Sequence, residues 1–409
     1  MPKLSRLALL LSFVATTLFS TPLSAARYQI LYSFMANSID GGRPYGGVVF
    51  DAAGNLYGTT FADGKYQGGT VFELSPQTGG GWTETILHNF STGQQPWAGL
   101  AIDAAGNLYG TTTQGGAFGQ GIVFELSPTS GGGWTYTRLH SFGAGKDGQG
   151  PYGALVMDAA GNLYGTTMGG GAFQQGTVFE LSPVSGGGWS EKILHHFNDN
   201  GQDGTGPAAG VTFDSAGNLY GTTFKGGSMN VGTVYRLSSV SGGWAYKVLH
   251  TFGTKASDGQ YPWAGVIVDA AANIYGTTEN GGEFGQGMVF ALMPGVGGGY
   301  SERTLRNFHD RCCDIFNGTY PLGPLVMDAA GNLYGTTQQG DFNNLGIVFE
   351  LTPAATGPWP ETQLHEFGII LEDGSFPYAG LTSDKSGNLY GTTNQGGAND
   401  IGTVFEITP

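Results

Sequence analysis

The chain has 409 residues, a formal net charge of −15, only 11% charged residues, 75 glycines and two cysteines. An acidic chain with no basic cluster repels phosphate backbones and anionic membrane surfaces, which argues against a nucleic-acid partner. The cysteines, Cys312 and Cys313, are adjacent, so they form no disulfide framework and stability has to come from packing.

In chain order, residues 1–26 read as an export signal. Lys3 and Arg6 precede an apolar run, and Ser24, Ala25 and Ala26 form a small-residue cleavage site. The run is short for a membrane span and no later segment approaches one, so the mature chain is expected to begin near Arg27 and to be secreted or periplasmic. Residues 27–34, RYQILYSF, read as a solitary strand. The stretch DAAGNLYGTT at residues 51–60 then recurs six times with small changes. Its first residue falls at Asp51, Asp103, Asp158, Asp214, Asp269, Asp328 and Asp384, at spacings of 52 to 59 residues. Periods near this length point to propellers or solenoids.

One period holds four strand-like segments: 46–51, 55–60, 70–74 and 82–90 in the first copy. Each is rich in β-branched and aromatic residues and is bounded by Gly, Asp, Asn or Pro. No helical periodicity competes. Four short antiparallel strands, labelled a to d from the axis outward, make one propeller blade. The blades are predicted at about 45–90, 97–142, 152–197, 208–252, 263–308, 322–367 and 378–409. Residues 402–408, GTVFEIT, read as a strand c followed by no strand d, and residues 27–34 supply the missing outer strand. The two fragments would close a ring and remove both exposed edges, where a solenoid would carry polar caps. The expected fold is therefore all-β: a single seven-bladed β-propeller over residues 27–409. Within the motif, Asp51 is expected to accept hydrogen bonds from turn amides and Gly54 to supply a positive φ. Gly58 is expected to admit the neighbouring blade. On this reading the motif is architecture.

The repeat D-A-A-G-N-L-Y-G-T-T…G-G…G-T-V-F-E-L resembles the GloVer (Gloeo/Verruco) tandem repeat of bacterial extracellular proteins, in all seven copies and over nearly the whole mature chain. The resemblance implies export and a surface or secreted life, with no assigned activity. A second similarity, D-x-x-G-N-[LI]-Y, is to NHL-type and other six- or seven-bladed propellers and bears on the fold only.

Chemistry is expected on the face where the d–a and b–c loops emerge, because the opposite turns are short and stereotyped. The d–a loops carry a proline followed by an aromatic at Tyr45, Trp97, Tyr152, Trp263 and Tyr378, with Ala208 and Leu322 breaking the series. The b–c loops add Phe118, Phe173 and Phe284, with Tyr66, Met229 and Phe342 in three of the other copies. Such a ring of aromatics could stack on sugars; the plainer reading is packing between blades. Asp-Gly recurs at Asp40, Asp147, Asp203, Asp258 and Asp373. These acids offer oxygens to calcium, but one per loop without clustered spacing, so a plain turn is the simpler reading.

Strand d repeats His88, His140, His195, His250 and His365, replaced by Arg306 and Tyr32 in the other copies. Strand d lies roughly 14 Å farther from the axis than strand a, so these histidines diverge and read as packing residues, not as a common metal site. The strand-c glutamates Glu73, Glu125, Glu180, Glu350 and Glu406 fail likewise to converge on one substrate. The largest break in symmetry is residues 307–324. It contains His309, Asp310 and Asp314, which are metal candidates outside the repeat pattern, and Cys312 and Cys313, which could form a vicinal disulfide.

The expected function is a monomeric, non-catalytic binding module for glycan or a cell-surface polymer, without a cofactor unless calcium takes part. The alternatives are an adhesin or scaffold that binds an extracellular protein, and a metal-dependent hydrolase or lyase using the axial pocket and the 307–324 loop.

Overall fold

A computed structural model describes residues 26–35, 37, 39–309 and 318–409. Among them, seven four-stranded antiparallel sheets stand around one axis, and there is no helix. In the first blade, strands a to d are Val49–Phe50, Leu56–Thr60, Gln67–Pro76 and Trp82–Ser91. Burial follows position in the blade. All five residues of strand b are buried because both its faces meet neighbouring blades, whereas the outer strand d is exposed or half-buried except at Phe90.

Strand a is shorter than its sequence pattern suggests. Its glycine-led beginning turns towards the axis, where a Cβ on Gly46 would come within 2.3 Å of the Gly99 amide nitrogen in the next blade. Only Val49 and Phe50 remain to pair with strand b.

The seventh blade is assembled from both ends of the propeller. Thr382–Ser383, Leu389–Thr393 and Thr403–Thr408 are its first three strands, and Arg27–Ser33 is the fourth. Arg27 lies opposite Thr408 and Tyr28 opposite Ile407. A second link crosses the same seam nearer the axis. Thr59 Oγ1 donates to the Ala98 carbonyl of the next blade at 2.8 Å, and in the last blade Thr392 Oγ1 donates to the Gly46 carbonyl of the first at 3.0 Å.

The apolar core consists of seven clusters, each between adjacent blades. The phenylalanine that ends each strand d enters the cluster of the next blade. Phe34 meets Phe72 edge-on with centroids 5.2 Å apart, Phe90 meets Phe124 at 5.1 Å, and Phe367 meets Phe405 at 5.3 Å. These rings are fully buried, each worth about 2–3 kcal/mol in removal from water.

The recurring motif acts as a clamp on the a–b turn. Asp51 Oδ1 accepts the amides of Ala53 and Asn55, and Oδ2 accepts Asn55 Nδ2 and the Tyr57 hydroxyl, at 2.8–3.1 Å. Burial pushes the Asp51 carboxyl up, but these donors outweigh it and hold the group below its ordinary range. Gly54 has φ 92°. Gly58 has a different role from the expected one. Its cross-strand partner is Phe72 of its own sheet, and a Cβ there would lie 2.5 Å from that ring.

Candidate functional site

The seven d–a loops converge on the axis through one local device. In each, the residue before the proline has a positive φ: Arg43, Gln95, Gly150, Gly206, Tyr261, Tyr320 and Phe376, at 51–62°. Two backbone hydrogen bonds hold this residue. Arg43 N donates to the Ile401 carbonyl of the preceding blade, and the Arg43 carbonyl accepts Phe61 N from its own blade. At Tyr261 the same pair runs to Val231 and Glu279. A non-glycine residue in this region costs on the order of 1–3 kcal/mol, and the two bonds to different blades hold it there. The proline then aims the following side chain at the axis.

The side chains so placed are Tyr45, Trp97, Tyr152, Ala208, Trp263, Leu322 and Tyr378, in blade order, and they surround an axial cavity of about 360 Å³. The five aromatics are half-buried. Tyr45 and Trp97 stack face to face with centroids 3.9 Å apart. Tyr378 meets Tyr45 edge-on at 4.9 Å, and Trp97 meets Tyr152 edge-on at 5.5 Å. A continuous aromatic wall therefore runs across the seventh, first, second and third blades. Trp263, in the fifth, stands apart and meets Phe224 edge-on at 5.2 Å. The smaller Ala208 and Leu322 flank it, so a slot remains between the wall and Trp263.

No carboxylate, imidazole, thiol or amine lines this cavity among the described residues. Its polar side-chain groups are tyrosine and threonine hydroxyls and the indole N–H groups. Such a cavity can stack on a ring and exclude water, and the protons its side chains offer are those of hydroxyls and indoles.

One contribution escapes the d–a pattern. The residue directly after each G-T-T is aromatic, apolar or threonine in the first four blades (Phe61, Thr113, Met168, Phe224) and polar in the last three (Glu279, Gln338, Asn394). Gln338 Nε2 donates to the Tyr378 hydroxyl. Burial raises the Glu279 carboxyl, and Glu279 in turn acts on Tyr378. Asn394 is 3% exposed, and its Nδ2 has no hydrogen-bond partner. These three positions lie outside the cavity lining, and two of them, Gln338 and Glu279, act on the lining residue Tyr378; the sequence signal for them is that the last three copies depart from the first four at this position.

The b–c loop aromatics do not join this cavity. Phe118 and Phe173 are about half exposed on the loops beyond it, as are Tyr66 and Met229, while Phe342 is 94% exposed. Phe284 is half-buried, with its ring edge-on to His309 at 4.9 Å. Asp310, Cys312, Cys313 and Asp314, with any disulfide between the cysteines, lie outside the described residues.

The strand-d histidines and the Asp-Gly aspartates, read separately in the sequence, meet each other. His140 Nε2 lies 3.0 Å from Asp147 Oδ2, His195 lies 3.0 Å from Asp203, and His365 lies 3.1 Å from Asp373. His250 lies 3.6 Å from Asp258. All five Asp-Gly aspartates are buried, so they brace the d–a loops from behind. Each strand-d group also meets a side chain of the next blade, forming a girdle. Where that side chain is tyrosine the histidine stacks on it: His88 on Tyr136, His195 on Tyr246 and His365 on Tyr28, at 3.6–4.2 Å. Where it is glutamate, a polar contact forms: Tyr32 with Glu84, His140 with Glu191, His250 with Glu302 and Arg306 with Glu361. His88, half-buried with no aspartate in the loop that follows it, is pushed down to about 4 by loss of water and is neutral at physiological pH.

The repeat itself decides the family. The model of the Gloeobacter/Verrucomicrobia repeat matches residues 11–212 and again residues 184–405. The chain belongs to that family. No curated protein matches this Gloeobacter/Verrucomicrobia repeat chain. Among solved structures it is similar to an ancestral GH74 enzyme (TM-score 0.56, 11% identity, 92% of this chain and 50% of that one). It is also similar to the extracellular domain of a candidate hybrid two-component system of B. thetaiotaomicron (0.54, 12%, 91% and 39%). A third similarity is to a candidate 6-phosphogluconolactonase of Bacteroides uniformis (0.51, 14%, 80% and 86%). The Gloeobacter/Verrucomicrobia repeat chain thus spans half or less of the first two. At these identities the likeness carries the propeller fold alone. No helix among the described residues is long and apolar enough to cross a membrane.

Proposed function

We propose that this repeat propeller is an exported binding module that takes a glycan or cell-envelope polymer in the slot between the aromatic wall and Trp263. The observation that carries the reading is the composition of the axial cavity: five half-buried aromatic rings from different blades and, among the described residues, no charged side chain in the lining. Sugar rings present apolar C–H faces for stacking and hydroxyls for polar groups. The cavity offers the rings, and its tyrosine and threonine hydroxyls, among them Tyr378 with Gln338 bonded behind it, offer polar partners. The basic and apolar N-terminal segment supports export. Intrinsic tryptophan fluorescence tests the slot. Oligosaccharides that enter it should shift Trp97 and Trp263 emission saturably, and this response should disappear in Trp97→Ala/Trp263→Ala. A saturable response unchanged in that variant would place binding elsewhere.

The exposed apolar side chains on the b–c loops favour a second reading, in which that rim engages an extracellular protein and the module is an adhesin or scaffold. Pull-down from the cell envelope with Phe118→Ser/Phe173→Ser separates the two, because loss of a protein partner there would leave sugar binding intact.

A further inference from the structure

The girdle between blades varies in how it balances a buried glutamate. At the fifth–sixth interface Arg306 pairs with Glu361, whose side chain is 2% exposed. At the fourth–fifth, Lys255 reaches Glu302 at 2.6 Å, beside His250 and Asp258. The second–third interface has the same set, His140, Asp147 and Glu191, but among the described residues no lysine or arginine meets Glu191. Two largely buried carboxylates there face one imidazole. Glu191 Oε1 is buried with no hydrogen-bond partner.

We propose that His140, Asp147 and Glu191 bind one zinc ion. The three ligand atoms converge on one point. His140 Nε2 is 3.0 Å from Asp147 Oδ2 and 3.7 Å from Glu191 Oε2, and all three lie within 4.8 Å of one another. Bond lengths of about 2.0–2.1 Å to zinc require ligand edges of about 3.3 Å, between these two separations. One nitrogen and two carboxylate oxygens form an ordinary zinc donor set, with a fourth position for water.

The supporting contacts are in place. Asp147 Oδ1 accepts Gly148 N at 2.6 Å and Oδ2 accepts Gly143 N at 3.1 Å, which fixes the carboxylate. The His140 ring stands edge-on to the fully buried Phe142 at 4.7 Å, which fixes the imidazole plane. His140 is 21% exposed on its side chain, so an ion can reach the site. The ion would join strand d of the second blade, the following d–a loop and strand d of the third, stapling two blades behind the axial rim. At the fourth–fifth interface Lys255 already supplies the cation, so that set should bind zinc only when the lysine is removed.

Calorimetric titration of the mature chain with zinc chloride, with metal analysis after dialysis, tests this directly. The expected result is one zinc lost, or weakened by at least about tenfold, in both His140→Ala and Glu191→Gln, with one further zinc gained in Lys255→Met. Glu191→Gln is nearly isosteric, and circular dichroism identifies any variant that fails to fold. Cobalt substitution adds a readout independent of stability: a four-coordinate absorption spectrum that Glu191→Gln abolishes. A zinc stoichiometry unchanged by both ligand substitutions, or no zinc binding by the folded chain, overturns the assignment. A folded Lys255→Met that gains no zinc contradicts the charge argument beneath it.

Discussion

At the scale of single residues, the repeat is a set of backbone instructions, and one copy breaks them. Six of the seven a–b turns place glycine at the left-handed position, but the fifth blade has Ala272 there, at φ 61°. A Cβ in this region costs roughly 1 kcal/mol or more. Ala272→Gly should therefore stabilise the chain by about 1 kcal/mol, and Gly54→Ala should destabilise it by a similar amount, read by urea unfolding. The turn was legible in the sequence because Asp, Gly and Asn each have a local reason to be there. The pairing of His140 with Asp147 was not. Seven residues separate them, and they meet only because the d–a loop folds back on its own strand d. Periodicity shows that both residues recur but not that they face each other. Gly58 was misplaced for a similar reason: a glycine in a strand announces a close approach without saying which neighbour makes it.

At the scale of elements, the seam between the first and last blades carries the greatest burden, because strand Arg27–Ser33 is held by pairing with Thr403–Thr408 and by its side chains. Phe34 is fully buried against Phe72 across that seam. Phe34→Ala should cost about 3–5 kcal/mol and loosen the N-terminal strand before the rest, which hydrogen exchange would resolve.

The seam also titrates. The Tyr32 hydroxyl lies 3.0 Å from Asp40 and 2.9 Å from Glu84, and its single proton cannot serve both carboxylates. Burial, and then the charge of Asp40, raises the Glu84 carboxyl from its ordinary 4.5 to about 8. The folded state therefore holds this proton more tightly than the unfolded state. The stability it contributes is fully present below about pH 4.5 and is lost as pH rises through about 8. Glu84→Gln retains an acceptor for Tyr32 and a donor for Asp40 but cannot ionise. It should match the parent below about pH 4.5, diverge from it as pH rises from there, and exceed it by roughly 1–2 kcal/mol above about pH 8, after allowance for partial solvent screening. Parallel pH profiles for the two proteins would contradict this.

At the scale of the whole molecule, the ring was the most legible feature. A period repeated seven times, with four strand-like segments in six copies and three in the last, leaves little room for another all-β architecture, and the unmatched outer strand at residues 27–34 points to the seam. The candidate site was legible in half. The proline–aromatic loops identify the axial residues, since Tyr45, Trp97, Tyr152, Trp263 and Tyr378 all line the cavity. The sequence could not divide them into a continuous wall and an isolated Trp263, because that depends on which blades are neighbours around a closed ring. It also could not separate the axial aromatics from Phe118 and Phe173, which share their face but not their cavity.

The most direct test of a sugar-binding slot is a glycan array probed with residues 27–409 and with the folded Trp97→Ala/Trp263→Ala form, each with and without calcium. The predicted result is binding to a defined set of glycans that the double substitution abolishes. Silence of the folded parent across a broad array, or binding that survives loss of both rings, would contradict it.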